Sequence, residues 1–134
     1  FRWSRTLTGS ELRQALGPAA EPLTSPLQLR VTERGVSGRV LALQVSGGDA
    51  STPVVLRLDR IRRTLRRLPS TLFVVEPEGQ ERWLIRGGGF GHGAGLSQAG
   101  AIDLAWRGWS AERILRHYYP GTVYGPLSGL EQSP

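Results

Sequence analysis

The alternation of apolar and polar residues along the chain predicts a mixture of short strands and short helices. Apolar residues at every second position indicate half-buried strands, and short apolar runs bounded by turn residues indicate buried strands. By these criteria strands are expected at 27–31, 40–45, 54–58, 72–75 and 82–86. Only a short turn separates the last two, which are therefore predicted to pair as a hairpin.

Helices are indicated where apolar residues recur with a period near 3.6 and capping residues precede them. A capping box at 8–11 predicts a first helix at 9–16. Asp59 is expected to cap a second helix, which would carry apolar residues on one face as far as Leu68 and five arginines on the other. Two more helices are expected at 96–107 and, capped by Ser110, at 111–118.

These elements predict an α+β fold with a small, mostly antiparallel sheet, two or three helices on it, and a glycine-rich loop leading into a helix. The 134 residues fit one domain, and no internal repeat or linker interrupts them. There is no cysteine, which excludes disulfides and thiolate metal sites. No apolar run is long enough to predict a transmembrane helix, and no signal-peptide pattern is present.

The charge of the chain favours an anionic partner. All 17 basic residues are arginine and the net charge is +6, which suits nucleic acid, an anionic membrane or the anionic polymers of a cell wall. A GC-rich genome explains the exclusive use of arginine equally well. Nucleic-acid binding is disfavoured because the arginine face of the second helix has no interleaved aromatic residues and matches no recognition motif.

A glycine-rich loop is the most informative feature, since six of the nine residues from 87 to 95 are glycine. A phosphate-binding Walker loop is excluded because the chain has no lysine. Part of the loop matches the dinucleotide pattern Gly-x-Gly-x-x-Ala, but a helix follows where a second parallel strand should be. Two interpretations stay open: a tight turn that packs strand against helix, and a loop whose backbone amides approach a ligand.

Several side chains around this loop could contact a ligand. His92 lies within the loop and the second histidine, His117, is 25 residues further on, a spacing that favours a hydrogen-bonding role over metal binding. Ser97 and Gln98 open the next helix, where they could cap it or face a polar ligand. Two adjacent tyrosines at 118 and 119 could lie in the core or offer an aromatic face to a sugar.

The segment from 87 to 125 resembles the sporulation stage II protein D family, which includes amidase-enhancer proteins. The resemblance rests on the signature GFGHGAGLSQAGA at 89–101 and on HYYPGT at 117–122. Weaker similarity extends upstream to SGRV at 37–40 and LPSTLF at 68–73. Leu96 and Ala99 depart from the pattern, because the family often has methionine and an aromatic residue there.

The resemblance implies a peptidoglycan lytic transglycosylase, in which a glutamate outside this chain acts as general acid. On this interpretation residues 1–134 are a single domain, the C-terminal part of a larger catalytic domain whose N-terminal segment is missing. The alternative is a non-catalytic module that binds peptidoglycan or stimulates a cell-wall amidase. Either implies peptidoglycan glycan strands as partner, an extracytoplasmic location, and no metal or cofactor. The expected substrate-binding residues are Gly91, His92, Gly93, Ser97, Gln98, Tyr118 and Tyr119.

Overall fold

The computed structural model describes residues 1–48 and 52–125. Six strands run along the chain: β1 Arg2–Thr8, β2 Gln28–Arg34, β3 Val40–Ser46, β4 Val54–Arg57, β5 Phe73–Pro77 and β6 Arg82–Gly88. Four α-helices accompany them: α1 Gly9–Leu16, α2 Asp59–Thr64, α3 Gln98–Trp106 and α4 Ala111–Tyr118. A short 3₁₀ turn, Gly17–Ala20, follows α1. The α+β prediction is therefore confirmed.

The chain divides into two compact units, the first ending at His92 and the second beginning at Gly93. The first unit holds two separate three-stranded sheets with the orders β1-β6-β5 and β2-β3-β4. All their pairings are antiparallel, and β5 and β6 form the hairpin that the sequence predicts. The second unit holds α3 and α4. Among the residues that the structure describes, no helix is long and apolar enough to cross a membrane.

A single hydrophobic core in the first unit is shared by both sheets and by the helices α1 and α2. Strands β3 and β6 both contribute buried residues to it, and in β6 these fall at every second position, Trp83 and Ile85. Its largest fully buried side chains are Leu12, Leu43, Leu56, Ile61, Leu65 and Ile85, each at most 1% exposed. Removing apolar surface from water on this scale stabilises the unit by roughly 1.5–3 kcal/mol for each large side chain.

Helix α1 forms as its capping box predicts. The Thr8 hydroxyl accepts a hydrogen bond from the Glu11 backbone amide, and the Glu11 carboxylate accepts one from the Thr8 backbone amide at 3.0 Å. The strand that leads into this helix, β1, was missed by the sequence analysis. Its two buried residues, Trp3 and Leu7, are four positions apart. Arg5 lies between them on the same face of the strand but is exposed, so the alternation of buried and exposed residues is broken.

The prediction for the second helix was wrong in its length and its cap. Helix α2 ends at Thr64, and Asp59 is its first residue, where its carboxylate forms ion pairs with Arg62 and Arg63 at 2.9 Å each. The capping position belongs to Leu58, whose side chain cannot accept a hydrogen bond.

The chain turns out of the helical path at the residues that follow α2. Arg66 and Arg67 adopt positive φ angles of 54° and 53°, which turn the chain out of the helix. The turn lets the Leu68 amide donate to the Arg62 carbonyl at 3.1 Å and buries Leu68 at 2% exposure. The apolar spacing therefore identifies the correct buried residues, although the last of them do not belong to a helix.

Candidate functional site

Backbone hydrogen bonds fix the first half of the glycine-rich loop at 87–95. The Gly89 amide donates to the Phe1 carbonyl at 3.0 Å, at the start of β1. The Gly91 amide donates to the Pro69 carbonyl at 2.8 Å. These two amides are thus used within the protein and are not available to a ligand. Any ligand-binding role of the loop falls to the residues that follow.

Two polar side chains strengthen this attachment. Ser70 is fully buried, and its hydroxyl donates to the Gly88 carbonyl at 2.6 Å and accepts from the Leu72 amide at 3.2 Å. The guanidinium of Arg39 donates to the Gly91 carbonyl at 3.4 Å. Residues 18 and 52 positions away in the sequence therefore contact one loop and hold its backbone in place.

The tip of the loop is exposed and its backbone depends on glycine. Gly91 and Gly93 have φ angles of 81° and 73°, a region that a β-branched residue enters only with strain. A Cβ at Gly91 would meet no atom within 4 Å, so the requirement there is conformational and not steric. Residues 92–95 are exposed, and with them the His92 side chain. A rigid base thus presents an exposed histidine between two glycines of fixed conformation.

In the second unit, Ser97 caps α3. Its hydroxyl accepts a hydrogen bond from the Gly100 amide at 3.2 Å, which confirms the capping interpretation for this residue. Gln98 is the first residue of the helix and is exposed. The Ser97 hydroxyl retains a proton that it can donate, so the cap and a contact with a polar ligand are compatible.

The two tyrosines at the end of α4 both pack against the start of α3. The Tyr119 hydroxyl accepts a hydrogen bond from the Leu96 amide at 3.1 Å. The Tyr118 hydroxyl lies so close to Gly100 that a Cβ at that glycine would overlap it. Both hydroxyls therefore join the two helices of the unit, and any contact with a sugar would use the ring faces.

The second histidine belongs to an aromatic cluster on α4. The His117 ring lies edge-on to Trp109 and Tyr118, with centroids 5.7 and 5.0 Å away, and the Arg113 guanidinium stacks on Trp109 at 3.8 Å.

Within residues 1–48 and 52–125, no three side chains of His, Cys, Asp or Glu are grouped closely enough to hold a metal ion.

Two glutamates of the first unit have lowered pKa values. The Thr8 backbone amide, the Thr8 hydroxyl and the nearby Arg66 outweigh burial and hold the pKa of Glu11 below its ordinary value of 4.5. The Leu27 backbone amide is the largest cause for Glu81, and it lowers the pKa of that carboxyl in the same way. A general acid needs the opposite shift, so neither carboxyl is suited to protonate a leaving group near neutral pH.

The expected site residues are divided between the two units. Gly91 and His92 belong to the first, whereas Gly93, Ser97, Gln98, Tyr118 and Tyr119 belong to the second. The sequence analysis missed Ser70 and Arg39 as residues that position the loop. A signal existed, because both lie in the upstream blocks at 37–40 and 68–73 that carry the weaker family resemblance.

Comparison with known proteins gives two matches. The amidase enhancer of Bacillus subtilis (strain 168) is 44% identical over 51 residues, which are 38% of this chain and 7% of that protein. The chain thus corresponds to a small part of this relative. A family model described as a domain of unknown function, DUF8618, matches residues 1–95, from β1 to the end of the glycine-rich loop. This chain is a member of the DUF8618 family.

Proposed function

We propose that this chain is a peptidoglycan-binding module of a cell-wall protein that stimulates an amidase. The observation that carries the proposal is the glycine-rich loop, whose base is fixed by Ser70 and Arg39 and whose tip is exposed. Its sequence is the signature that resembles the amidase-enhancer proteins, and a 51-residue match to one such protein supports the same role.

The chemistry of the loop tip suits a sugar polymer. The exposed imidazole of His92 is a hydrogen-bonding group at the loop tip, of the kind that pairs with sugar hydroxyls. Glycines on both sides let the glycan approach the backbone closely, which a Cβ at those positions would prevent. The second unit, taken by itself, offers polar groups from Ser97 and Gln98 at the start of α3 and apolar ring faces from Tyr118 and Tyr119.

An amidase of the cell wall acts on the same polymer that this module would bind. A chain that holds glycan strands beside such an enzyme raises the local concentration of its substrate, which stimulates it without any catalytic group of its own. The net charge of +6 favours attachment to an anionic wall. The proposal places the chain outside the cytoplasm.

Sedimentation of the chain with insoluble peptidoglycan tests the binding. We expect the wild type to co-sediment and Gly93→Val to remain largely in solution, because valine is strained at a φ of 73° and blocks close approach. Gly108→Val is the matched control: its φ is 83°, a Cβ there meets no atom within 4 Å, and it lies in the same unit outside the loop. Equal loss with both variants would mean that the loop has only a structural role.

Stimulation is measured separately, as the rate at which a cell-wall amidase releases peptides from peptidoglycan. We expect the wild-type chain to raise this rate and Gly93→Val to raise it much less, with Gly108→Val close to wild type. A chain that binds peptidoglycan but leaves the rate unchanged would refute the amidase part of the proposal and keep the binding part.

A finer proposal is that the chain supplies substrate-binding residues to a lytic transglycosylase, as the resemblance implies. The lowered pKa values of Glu11 and Glu81 make these two carboxyls unsuited to the general-acid role, for which the resemblance implies a glutamate outside this chain. We therefore expect no anhydro-muramyl ends when the chain alone is incubated with glycan strands. Mass spectrometry would detect such ends, and their appearance would mean that an acid within these residues has been overlooked.

A further inference from the structure

Strand β1 is an edge strand, with β6 on one side and no strand of the described residues on the other. Its pairing with β6 is antiparallel and keeps one register throughout. At one end of the strand the Phe1 carbonyl accepts from the Gly89 amide, and at the other the Glu81 carbonyl accepts from the Gly9 amide. Because hydrogen-bonded and non-bonded pairs alternate in an antiparallel ladder, the odd-numbered residues of β1 bond to β6. The even-numbered residues direct their amides and carbonyls away from it.

Three of these outward amides are unused. Within residues 1–48 and 52–125 no acceptor pairs with the amides of Arg2, Ser4 and Thr6. The next outward amide, that of Thr8, donates to Glu11 in the capping box and ends the free stretch. Amides two residues apart on a strand lie about 7 Å from each other, which is the repeat of a β-ladder. The free edge of β1 is therefore a template on which another strand can pair.

The edge is positively charged on both faces of the sheet. Trp3 and Leu7 are buried, so Arg5 lies on the core face with them, whereas Arg2 lies on the opposite face. Both arginines are exposed, and neither forms an ion pair with a carboxylate of the described residues. The Arg5 guanidinium donates to the Ser4 carbonyl at 3.3 Å, which brings it to the outward side of the strand. An incoming strand thus meets one positive charge on each face.

From the free amides and the two arginines we infer that β1 is the docking site for an extended acidic segment of a partner protein, which adds to the sheet as a fourth strand. Side chains directly opposite each other in neighbouring strands lie on the same face. Arg2 and Arg5 are three positions apart and on opposite faces, so the matching segment carries two acidic residues three positions apart, one for each face. The inference goes beyond the proposed function, because it needs no sugar and its failure leaves peptidoglycan binding untouched.

Other occupants fit this edge less well. Pairing with β1 of a second copy would bring four arginines together with no carboxylate on either strand, and like charges that face each other destabilise a sheet. A nucleic acid or a lipid surface offers negative charge but no alternating amides and carbonyls at the spacing of a strand. Either would leave the outward amides without the partners that a ladder supplies.

Three heptapeptides with blocked ends test the docking, and an NMR titration of the isotope-labelled chain measures their dissociation constants. The first, Thr-Glu-Val-Thr-Glu-Val-Thr, has its glutamates three positions apart. The second, Thr-Glu-Val-Glu-Thr-Val-Thr, has the same composition with both glutamates on one face, and the third has glutamines in place of the glutamates of the first. We expect the first to bind about threefold more tightly than the second, which can place only one glutamate opposite an arginine, and about tenfold more tightly than the third.

Hydrogen exchange tests the geometry of the docking. In the free chain the amides of Arg2, Ser4 and Thr6 should exchange much faster than the odd-numbered amides of β1, which bond to β6. Saturation with the first peptide should slow exchange at the three outward amides and leave the others as they were. A peptide held by charge alone would not produce this alternating pattern.

Reversing the charges tests the role of the arginines. Arg2→Glu/Arg5→Glu should prefer Thr-Lys-Val-Thr-Lys-Val-Thr to the first peptide. Arg30→Glu/Arg60→Glu is the matched control, because it reverses two charges at exposed positions of the first unit outside β1, and it should keep the wild-type preference. Ser4→Pro removes one outward amide and should weaken the binding of every peptide, since proline is tolerated on an edge strand where its nitrogen faces solvent. Circular dichroism shows that each variant is folded.

Several results would overturn the inference: equal affinity for the three peptides, a preference that survives Arg2→Glu/Arg5→Glu, or binding without slowed exchange at the outward amides. Dimerisation of the chain that Ser4→Pro abolishes would assign the edge to a second copy instead. Tighter binding of single-stranded oligothymidylate, dependent on the same two arginines, would assign the charges to a nucleic acid. Failure of every peptide to bind would mean that the arginines only shield the edge from pairing.

Discussion

Replacing Ser70 with alanine tests whether this buried hydroxyl positions the glycine-rich loop. The substitution removes the donor to the Gly88 carbonyl and the acceptor for the Leu72 amide, at 2.6 and 3.2 Å in the structure. Ser70 is 0% exposed, so water cannot readily replace either bond. A net loss of about 1 kcal/mol for each bond gives roughly 2 kcal/mol for the free energy of unfolding, with about 1–3 kcal/mol as the range.

Urea unfolding followed by tryptophan fluorescence measures this loss. In thermal unfolding, the Tm of a chain of this length should fall by roughly 4 °C for each kcal/mol that is lost from the free energy of unfolding. Hydrogen exchange should also speed up at the Leu72 amide, whose bond to the serine is removed. Ser37→Ala is the control, because Ser37 is exposed and lies in a turn remote from the loop in sequence. A loss below about 0.5 kcal/mol for Ser70→Ala, or an equal loss for Ser37→Ala, would refute the positioning role.

Three further predictions concern single groups. Glu81→Gln should lower the stability near pH 7 and flatten the dependence of stability on pH. A carboxyl with a lowered pKa stabilises the fold at pH values above its ordinary pKa of 4.5, and this contribution is lost as the pH falls through the folded-state pKa. Thermal unfolding at pH 3–7 measures the effect. Alanine in place of a helical glycine ordinarily raises the free energy of unfolding by roughly 1 kcal/mol, but Gly100→Ala should not, because its Cβ would overlap the Tyr118 hydroxyl. The double variant Gly100→Ala/Tyr118→Phe, which removes that hydroxyl, should recover the stability in denaturant unfolding. His92→Ala should weaken peptidoglycan binding by about 3- to 10-fold, as loss of a neutral hydrogen bond implies, and EDTA should leave wild-type binding unchanged; loss of binding in EDTA with recovery on adding zinc would revive a metal role.

Local patterns predicted most of the first unit. The capping box at Thr8 and Glu11 placed α1 correctly, because both partners of the cap lie within one turn of each other. The apolar run at 40–45, bounded by turn residues, placed β3 correctly, and Leu43 and Val45 within it are buried. In both cases the features that decide the secondary structure involve residues close together in the sequence.

The errors came from interactions that are distant in sequence. The pattern of β1 is broken by Arg5, so its strand character depends on pairing with β6, which lies about 80 residues away. Helix α2 ended early because Arg66 and Arg67 turn the chain to bury Leu68, a choice that tertiary packing makes against the helical period. Neither effect can be read from a window of a few residues.

Around the glycine-rich loop, too, only the local features were predicted. The glycine pattern located the loop and Ser97 as a cap, since both are local features. The residues that hold the loop, Ser70 and Arg39, act through contacts with backbone carbonyls 18 and 52 positions away.

The central claim is that the tip of the glycine-rich loop binds peptidoglycan glycan, and an NMR titration of the isotope-labelled chain with chitohexaose tests it most directly. We expect the largest amide shift changes at residues 91–98, with saturation at a single dissociation constant, and we expect Gly93→Val to abolish these changes while Gly108→Val retains them. Absence of changes at 91–98 at saturating sugar, or equal changes in Gly93→Val and the wild type, would contradict the claim.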